Sequence, residues 1–96
     1  MTYKLRFHEL ALQEWKRLDG SLRAQFKKKL EERLSSPRVP SAALAGLPNC
    51  FKIKLRSAGY RLVYRVDDDI VFVTVIAVGR RDRNQVYEQA QGRIDK

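Results

Sequence analysis

The chain has 96 residues, 44% of them hydrophobic and 32% charged, and its 20 Lys and Arg against 11 Asp and Glu leave a formal charge of +9. That length predicts a single domain, residues 1–96, with one modest core, and the composition excludes a disordered chain. One Cys and one His exclude an internal disulfide and argue against a metal site, and no apolar run approaches the ~20 residues of a membrane span. Excess cations favour nucleic acid, an anionic membrane surface or an acidic protein. The N-terminal Met-Thr-Tyr-Lys-Leu-Arg-Phe holds no apolar stretch of signal-peptide length, so the expected compartment is the cytoplasm, with no metal and no cofactor.

Tyr3, Leu5 and Phe7 alternate with Lys4 and Arg6, the rhythm of a short first strand ending near His8. Ala11, Trp15 and Leu18 then fall at i, i+4 and i+7, which predicts a helix from about Glu9 to Leu18. Asp19-Gly20-Ser21 interrupts it. Leu22, Phe26, Leu30 and Leu34 recur every four residues in a second helix, with Ser21 as its expected N-cap and Ser35-Ser36-Pro37 as its stop. The two make a helical hairpin. Pro37 to Asn49 contains all three prolines and no strong period, so it reads as a loop with one helical turn around Ala42 to Ala45.

From Leu34 to Val66 the chain has no Asp or Glu but six Lys or Arg residues. Cys50-Phe-Lys-Ile-Lys-Leu-Arg56 alternates in strand rhythm, so Phe51, Ile53 and Leu55 point to one face while Lys52, Lys54 and Arg56 point to the other. Setting Leu55 opposite Leu62 on the buried face centres a turn on Ala58-Gly59, with Arg56 opposite Arg61 and Lys54 opposite Val63. Lys52, Lys54, Arg56, Arg61 and Arg65 then crowd one face, at a cost in stability that a bound anion would relieve.

Asp67-Asp68-Asp69 reads as a turn, and Ile70 to Val78 is apolar except for Thr74, as in a central strand covered on both faces. Gly79 ends it and Arg80-Arg81 follow. Asp82 with Gln85 resembles a capping box opening a last helix through about Ile94, with Val86, Ala90 and Ile94 on its inner stripe and Tyr87 about 100° away. The order β-α-α-β-β-β-α predicts an α+β fold, in which a small antiparallel sheet packs against an N-terminal helical hairpin and a C-terminal helix.

Lys52, Lys54, Arg61, Arg81 and Tyr87 gather at one end of this sheet. Cleaving RNA by attack of a 2′-hydroxyl on the neighbouring phosphate needs a base, cations for the phosphorane oxygens and an acid for the departing 5′-oxygen. Arginines suit the second need, since a guanidinium stays charged and grips two phosphate oxygens. A lysine ringed by cations loses some of its preference for the charged form and becomes a better base. Tyr87 can transfer a proton or stack on a base. The pattern leaves open which group is acid and which is base.

The run Cys50-Phe-Lys-Ile-Lys-Leu-Arg-Ser-Ala-Gly-Tyr-Arg-Leu-Val-Tyr64, the segment Val78-Gly-Arg-Arg-Asp-Arg83 and the pair Val86-Tyr87 closely resemble the RelE toxins of bacterial toxin-antitoxin modules. The likeness extends through Glu14-Trp15 and Lys27-Lys-Lys-Leu30. It implies a small microbial-ribonuclease-like fold that enters the A site of the 70S ribosome, beside 16S rRNA, and cuts the mRNA codon there with little action on free RNA. It also implies a RelB-like antitoxin that displaces the C-terminal helix or blocks the basic face, operator DNA being met only through that complex, and no membrane. The family's functional residues fall on Lys52, Lys54, Arg61, Arg81 and Tyr87. One departure is Ala45, in a loop where relatives can carry an arginine.

Around this set, Arg56 and Arg65 are candidate phosphate or rRNA contacts, and Arg80 adds charge beside Arg81. Arg83 near a helix start is unfavourably placed against the helix dipole, which hints at a phosphate. Lys27, Lys28 and Lys29 read either as a solvated face or as an rRNA-facing one. His8 reads as structural or surface, and Cys50 as a small apolar residue at a strand start. Two other functions compete: a non-catalytic inhibitor like the related ParE proteins, which act on DNA gyrase, and a basic RNA-binding module.

Overall fold

The computed structural model describes residues 2–80 and 85–94. In chain order it contains β1 (Lys4–Phe7), α1 (Glu9–Lys16), α2 (Gly20–Ser35), a 3-10 turn (Pro40–Ala42), β2 (Cys50–Leu55), β3 (Tyr60–Asp67), β4 (Phe72–Arg80) and α3 (Gln85–Ile94). The order of elements is the predicted one. The strands form one sheet in the order β1-β4-β3-β2. β2, β3 and β4 are the expected antiparallel meander, but β1 joins β4 in parallel, so the sheet is mixed. The helical hairpin between β1 and β2 is what allows β1 to enter from the far edge in that direction.

His8 turns β1 into α1 by accepting the Leu10 N–H on its Nδ1, a structural role consistent with the only histidine lying at that junction. Asp19, not Ser21, caps α2. Its carboxylate accepts the Ser21 N–H at 3.0 Å, because the helix starts at Gly20, two residues earlier than a Ser21 cap implies. The mutually tilted rings of Phe7, Trp15 and Phe26 tie β1, α1 and α2 together, with centroids 5.3 and 6.4 Å apart. Phe26 and Leu30 are fully buried against the sheet, as their four-residue spacing requires. The short helical turn comes at Pro40–Ala42, ahead of the predicted Ala42 to Ala45, since Pro40 is pre-set for a first helical position.

The β2–β3 hairpin differs from the predicted register. Leu55 faces Tyr60, Lys54 faces Arg61, Ile53 faces Leu62 and Lys52 faces Val63. The loop has four residues, closed by the Gly59 N–H on the Leu55 carbonyl at 2.9 Å, with Gly59 at φ +69°, a conformation glycine adopts without strain. This places the turn one residue earlier than Ala58-Gly59. The slip keeps parity, so Leu55 and Leu62 still share the buried face.

Between Asp67 and Phe72 the turn continues through Ile70 and Val71, and β4 begins two residues later than expected and runs on through Gly79 to Arg80. Ile70 is half exposed, and Val71 holds φ +58°. A bulge then sets Val63 against Ala77 and Tyr64 against Val75, leaving Ile76 extra on β4. β4 is thus apolar on both sides: Val73, Val75 and Val78 pack towards α1 and α2, while Ile76 and Ala77 pack under α3 with Val63, Val86 and Ala90. α3 approaches closely at Gly79, where a Cβ would meet Val86 Cγ2 at 3.4 Å. The expected capping residue of this helix, Asp82, lies outside the described residues.

β1 accompanies β4 only as far as Val75. Beyond it two side chains complete the edge. Glu14 of α1 accepts the Val78 N–H on Oε1, and Arg93 of α3 donates to the Ile76 carbonyl at 2.7 Å while gripping both Glu14 oxygens at 2.9 and 2.8 Å. One ion pair therefore joins the helices on opposite faces of the sheet across the end of its central strand.

Candidate active site

Lys52 and Lys54 lie two residues apart on β2, so their side chains leave the sheet on one face about 6.6 Å apart. Arg61 of β3 stands directly opposite Lys54. From α3, Tyr87 comes down onto the same end. Its oxygen accepts an N–H from Arg61 at 3.2 Å, and the guanidinium carbon lies 6.0 Å from the ring centre. The sheet pairing and the docking of α3 thus bring together residues separated by up to 35 positions. Ser57 and Arg56 of the turn extend the group, with Arg56 exposed.

Among the described residues the cluster carries uncompensated charge. Among the described residues the carboxylates in ion pairs are Glu14, Asp67 and Asp68, and their partners are Arg6, Arg38, Arg65 and Arg93. None serves Lys52, Lys54, Arg56 or Arg61. The consequence falls on Lys54, whose ammonium is held below the usual lysine range by Lys52 first, then Arg61, partial desolvation, Arg56 and a hydrogen bond with Lys52. The crowding expected from strand alternation is present, and it acts on the lysine closest to Arg61.

Other predicted residues divide. Arg65 shares the face but sits four residues from Arg61, about 13 Å along β3, and pairs with Asp67 at 3.3 Å, so it is not part of the cluster. Arg80 packs over the Tyr60 ring at 5.8 Å and donates to its hydroxyl. Lys29 lies across a cavity from Lys54 and Arg56, whereas Lys27 and Lys28 are exposed on α2 and line neither of the two cavities beside β2. Arg81 and Arg83 lie outside the described residues. Ala45 borders a cavity of about 250 Å³ shared with Leu44, Leu47 and Tyr87, so the departure from the family pattern lies next to the site.

Cys50 is buried, and desolvation pushes its thiol up to about 11, which makes it an inert core residue. No group of three or more His, Cys, Asp or Glu among the described residues is arranged to hold a metal ion. Among the described residues no helix is long and apolar enough to cross a membrane. Arg33 escaped the sequence reading. It reaches from α2 to the Lys52 carbonyl and the Tyr64 hydroxyl at 3.2 and 2.9 Å, and the signal that could have found it is its place four residues after Lys29.

Residues 5–85 match the family described as ParE toxin of type II toxin-antitoxin system, parDE. The mRNA interferase toxin RelE of Escherichia coli (strain K12) is 55% identical over 94 residues, 98% of this chain and 99% of that protein. A double mutant of the E. coli toxin RelE in its free state superposes with a TM-score of 0.91 at 53% identity, covering 98% of this chain and 99% of that one. The toxin in the crystal structure of the intact E. coli RelBE toxin-antitoxin complex superposes at 0.81 with 56% identity, over 84% and 99% of the two chains. With near-complete coverage in sequence and fold, and the lysine, arginine and tyrosine cluster assembled at the sheet end, the chain belongs to the RelE branch of the RelE/ParE family of type II toxins.

Proposed function

We propose that this protein is the toxin of a type II toxin-antitoxin pair and an endoribonuclease that cuts mRNA in the ribosomal A site. The reaction is attack of a 2′-hydroxyl on the adjacent phosphorus, which breaks the bond to the 5′-oxygen and leaves a 2′,3′-cyclic phosphate and a 5′-hydroxyl. The observation that carries this reading is Lys54, made easier to deprotonate by its cationic neighbours, directly opposite an Arg61 that already engages Tyr87.

In this scheme the neutral Lys54 takes the proton of the 2′-hydroxyl as the new O–P bond forms. Arg61 and Arg81 balance the charge that builds on the non-bridging oxygens. Tyr87, its oxygen accepting from Arg61, retains its own O–H to give to the departing 5′-oxygen. Lys52 keeps the local potential high, lowering the affinity of Lys54 for its proton. Exchange with water resets both proton carriers. The cluster lies on an open surface, so the in-line geometry that such a displacement requires has to come from the ribosome holding the codon, and weak action on free RNA is expected.

A RelB-like antitoxin is the expected partner, supported by the solved complex of the E. coli relative, and 70S ribosomes, 16S rRNA and mRNA are the others. Operator DNA would be reached only through the antitoxin complex. The test is purified protein added to ribosomes programmed with a defined A-site codon, beside the same mRNA free in solution, with 5′ ends mapped by primer extension. Cleavage confined to the A-site codon, and lost by a factor of about 100 or more in Arg61→Ala, is expected from removing one transition-state donor. The ParE match over residues 5–85 favours a second reading, inhibition of DNA gyrase. Intact mRNA in both tubes together with a block of gyrase supercoiling would replace the first reading with that one.

A further inference from the structure

Two cavities lie side by side along the outer edge of β2, one of about 440 Å³ and one of about 260 Å³, and Lys54 and Arg56 line both. They form one trough. Its second wall is α2, which contributes Gln25, Lys29 and Arg33 at i, i+4 and i+8, a single stripe of that helix. The first wall is β2 and its turn, which contribute Lys52, Lys54 and Arg56 at alternate positions. Among the described residues no carboxylate lines either cavity.

The two walls match in pitch. Residues four apart on a helix are separated by about 6 Å along its axis, and residues two apart on a strand by about 6.6 Å. Cations at that interval on both sides suit the regular spacing of phosphates along an extended single strand. Lys54 belongs to both the trough and the active cluster, so a strand lying in the trough leads directly to Arg61 and Tyr87.

An extended acidic peptide would dock here by adding to the edge of β2, but much of that edge is occupied. Ala43 bridges Phe51, the Leu44 N–H takes the Cys50 carbonyl, and Arg33 takes the Lys52 carbonyl. A phosphate backbone needs only the side-chain donors. Arg33 is also fixed in place, its guanidinium resting 5.8 Å from the Tyr64 ring centre and bonded to the Tyr64 hydroxyl, so binding through its remaining N–H groups orders little that is loose.

The geometry points to the α2–β2 trough as a sequence-independent phosphate track for the mRNA nucleotides flanking the cut, with Lys29 and Arg33 as positioning residues. This rests on the ribonuclease reading above, and the test separates the two. Binding of a trinucleotide and a nonanucleotide of 2′-O-methyl RNA, which 2′-hydroxyl attack cannot cut, is followed by fluorescence anisotropy against salt. The nonanucleotide should bind roughly 10-fold more tightly than the trinucleotide, and Lys29→Glu or Arg33→Gln should remove that gain while lowering the log-log salt slope by about 0.7 per lost contact. Lys16→Glu, the same charge change as the first variant but on α1, should keep the gain.

Lys29 is exposed, so its variant tests the track without disturbing the packing of Arg33 on Tyr64. A length-dependent gain that survives both variants overturns the proposal. So does an octaglutamate peptide that outcompetes the nonanucleotide and depends on Lys29, since it assigns the trough to an acidic protein segment. If wild-type protein cuts no mRNA on ribosomes yet shows the Lys29-dependent gain, the nuclease reading fails and the phosphate track stands. Normal A-site cutting without the gain is the reverse.

Discussion

Replacing Arg93 by Met should loosen α3 selectively and separate Tyr87 from Arg61. α3 buries only Val86 and Ala90 fully, an anchorage of roughly 2–3 kcal/mol from side-chain burial. The Glu14–Arg93 pair, its side chains 20% and 12% exposed, adds a two-pronged ion pair and a hydrogen bond to the Ile76 carbonyl. Removing one partner of a buried pair costs about 3–5 kcal/mol, and the partial exposure of Glu14 argues for the lower end. The loss is therefore comparable to what the two fully buried side chains contribute, with Tyr87 and Ile94 adding partial burial beside them.

The expected result is a fall of about 100-fold or more in the hydrogen-exchange protection of the α3 amides, from a loss of ~3 kcal/mol. If the loss acted on the whole domain it would lower the melting temperature by roughly 12–24 °C, so a much smaller drop would identify local undocking. A-site cleavage in single turnover should fall with it, because Tyr87 leaves Arg61, and adding Tyr87→Phe should then cost less than it does alone. Arg93→Lys should restore only part of both effects, since an ammonium cannot grip two carboxylate oxygens in a fixed fork. Unchanged α3 protection in Arg93→Met would refute the clasp, and cleavage that persists with α3 undocked would refute the role given to Tyr87.

Lys54→Gln should abolish cleavage yet raise the melting temperature, and added salt should raise that of the wild type more than that of the variant, because Lys54 sits among uncompensated cations. The folded chain binds the Lys54 proton less well than the unfolded one, so this residue's contribution to stability should rise with pH between its lowered folded value and the ordinary lysine value; a contribution that falls in that window contradicts the charge crowding. Ala45→Arg would set a guanidinium at the cavity beside Tyr87, and an increase in A-site cleavage or ribosome affinity is expected, with an unchanged rate counting against any RNA contact from that loop. Val71→Gly should stabilise the fold by up to about 1 kcal/mol by relieving a β-branched residue at φ +58°, checked by denaturant midpoint, and destabilisation would show that the side chain's packing outweighs its backbone.

Short-range periodicity made much of this protein legible. The alternation of Phe51, Ile53 and Leu55 with Lys52, Lys54 and Arg56 determined two faces, and the spacing of Phe26 and Leu30 determined the buried stripe of α2. These survive because side-chain direction follows from covalent geometry within an element: a hairpin slip that preserves parity moves Leu62 from Leu55 to Ile53 without moving it from the core. The loop closed by Gly59 and the long turn through Val71 were not legible, since both depend on which backbone bonds close across the turn.

The tertiary structure alone decided which like charges are neighbours. Arg61 and Arg65 have the same parity, but only Arg61 meets Tyr87, while Arg65 is neutralised by Asp67. Arg33 entered the basic trough, and Arg93 found Glu14 79 positions away, because helices packed on opposite faces meet where β1 ends and leaves one edge of β4 unpaired beyond Val75. Local pattern sets the direction in which a residue points. The distance and desolvation that set its electrostatics arise only when the elements close on one another, and so the cationic face was determined by the sequence and the joining of Lys54, Arg61 and Tyr87 at its end by packing.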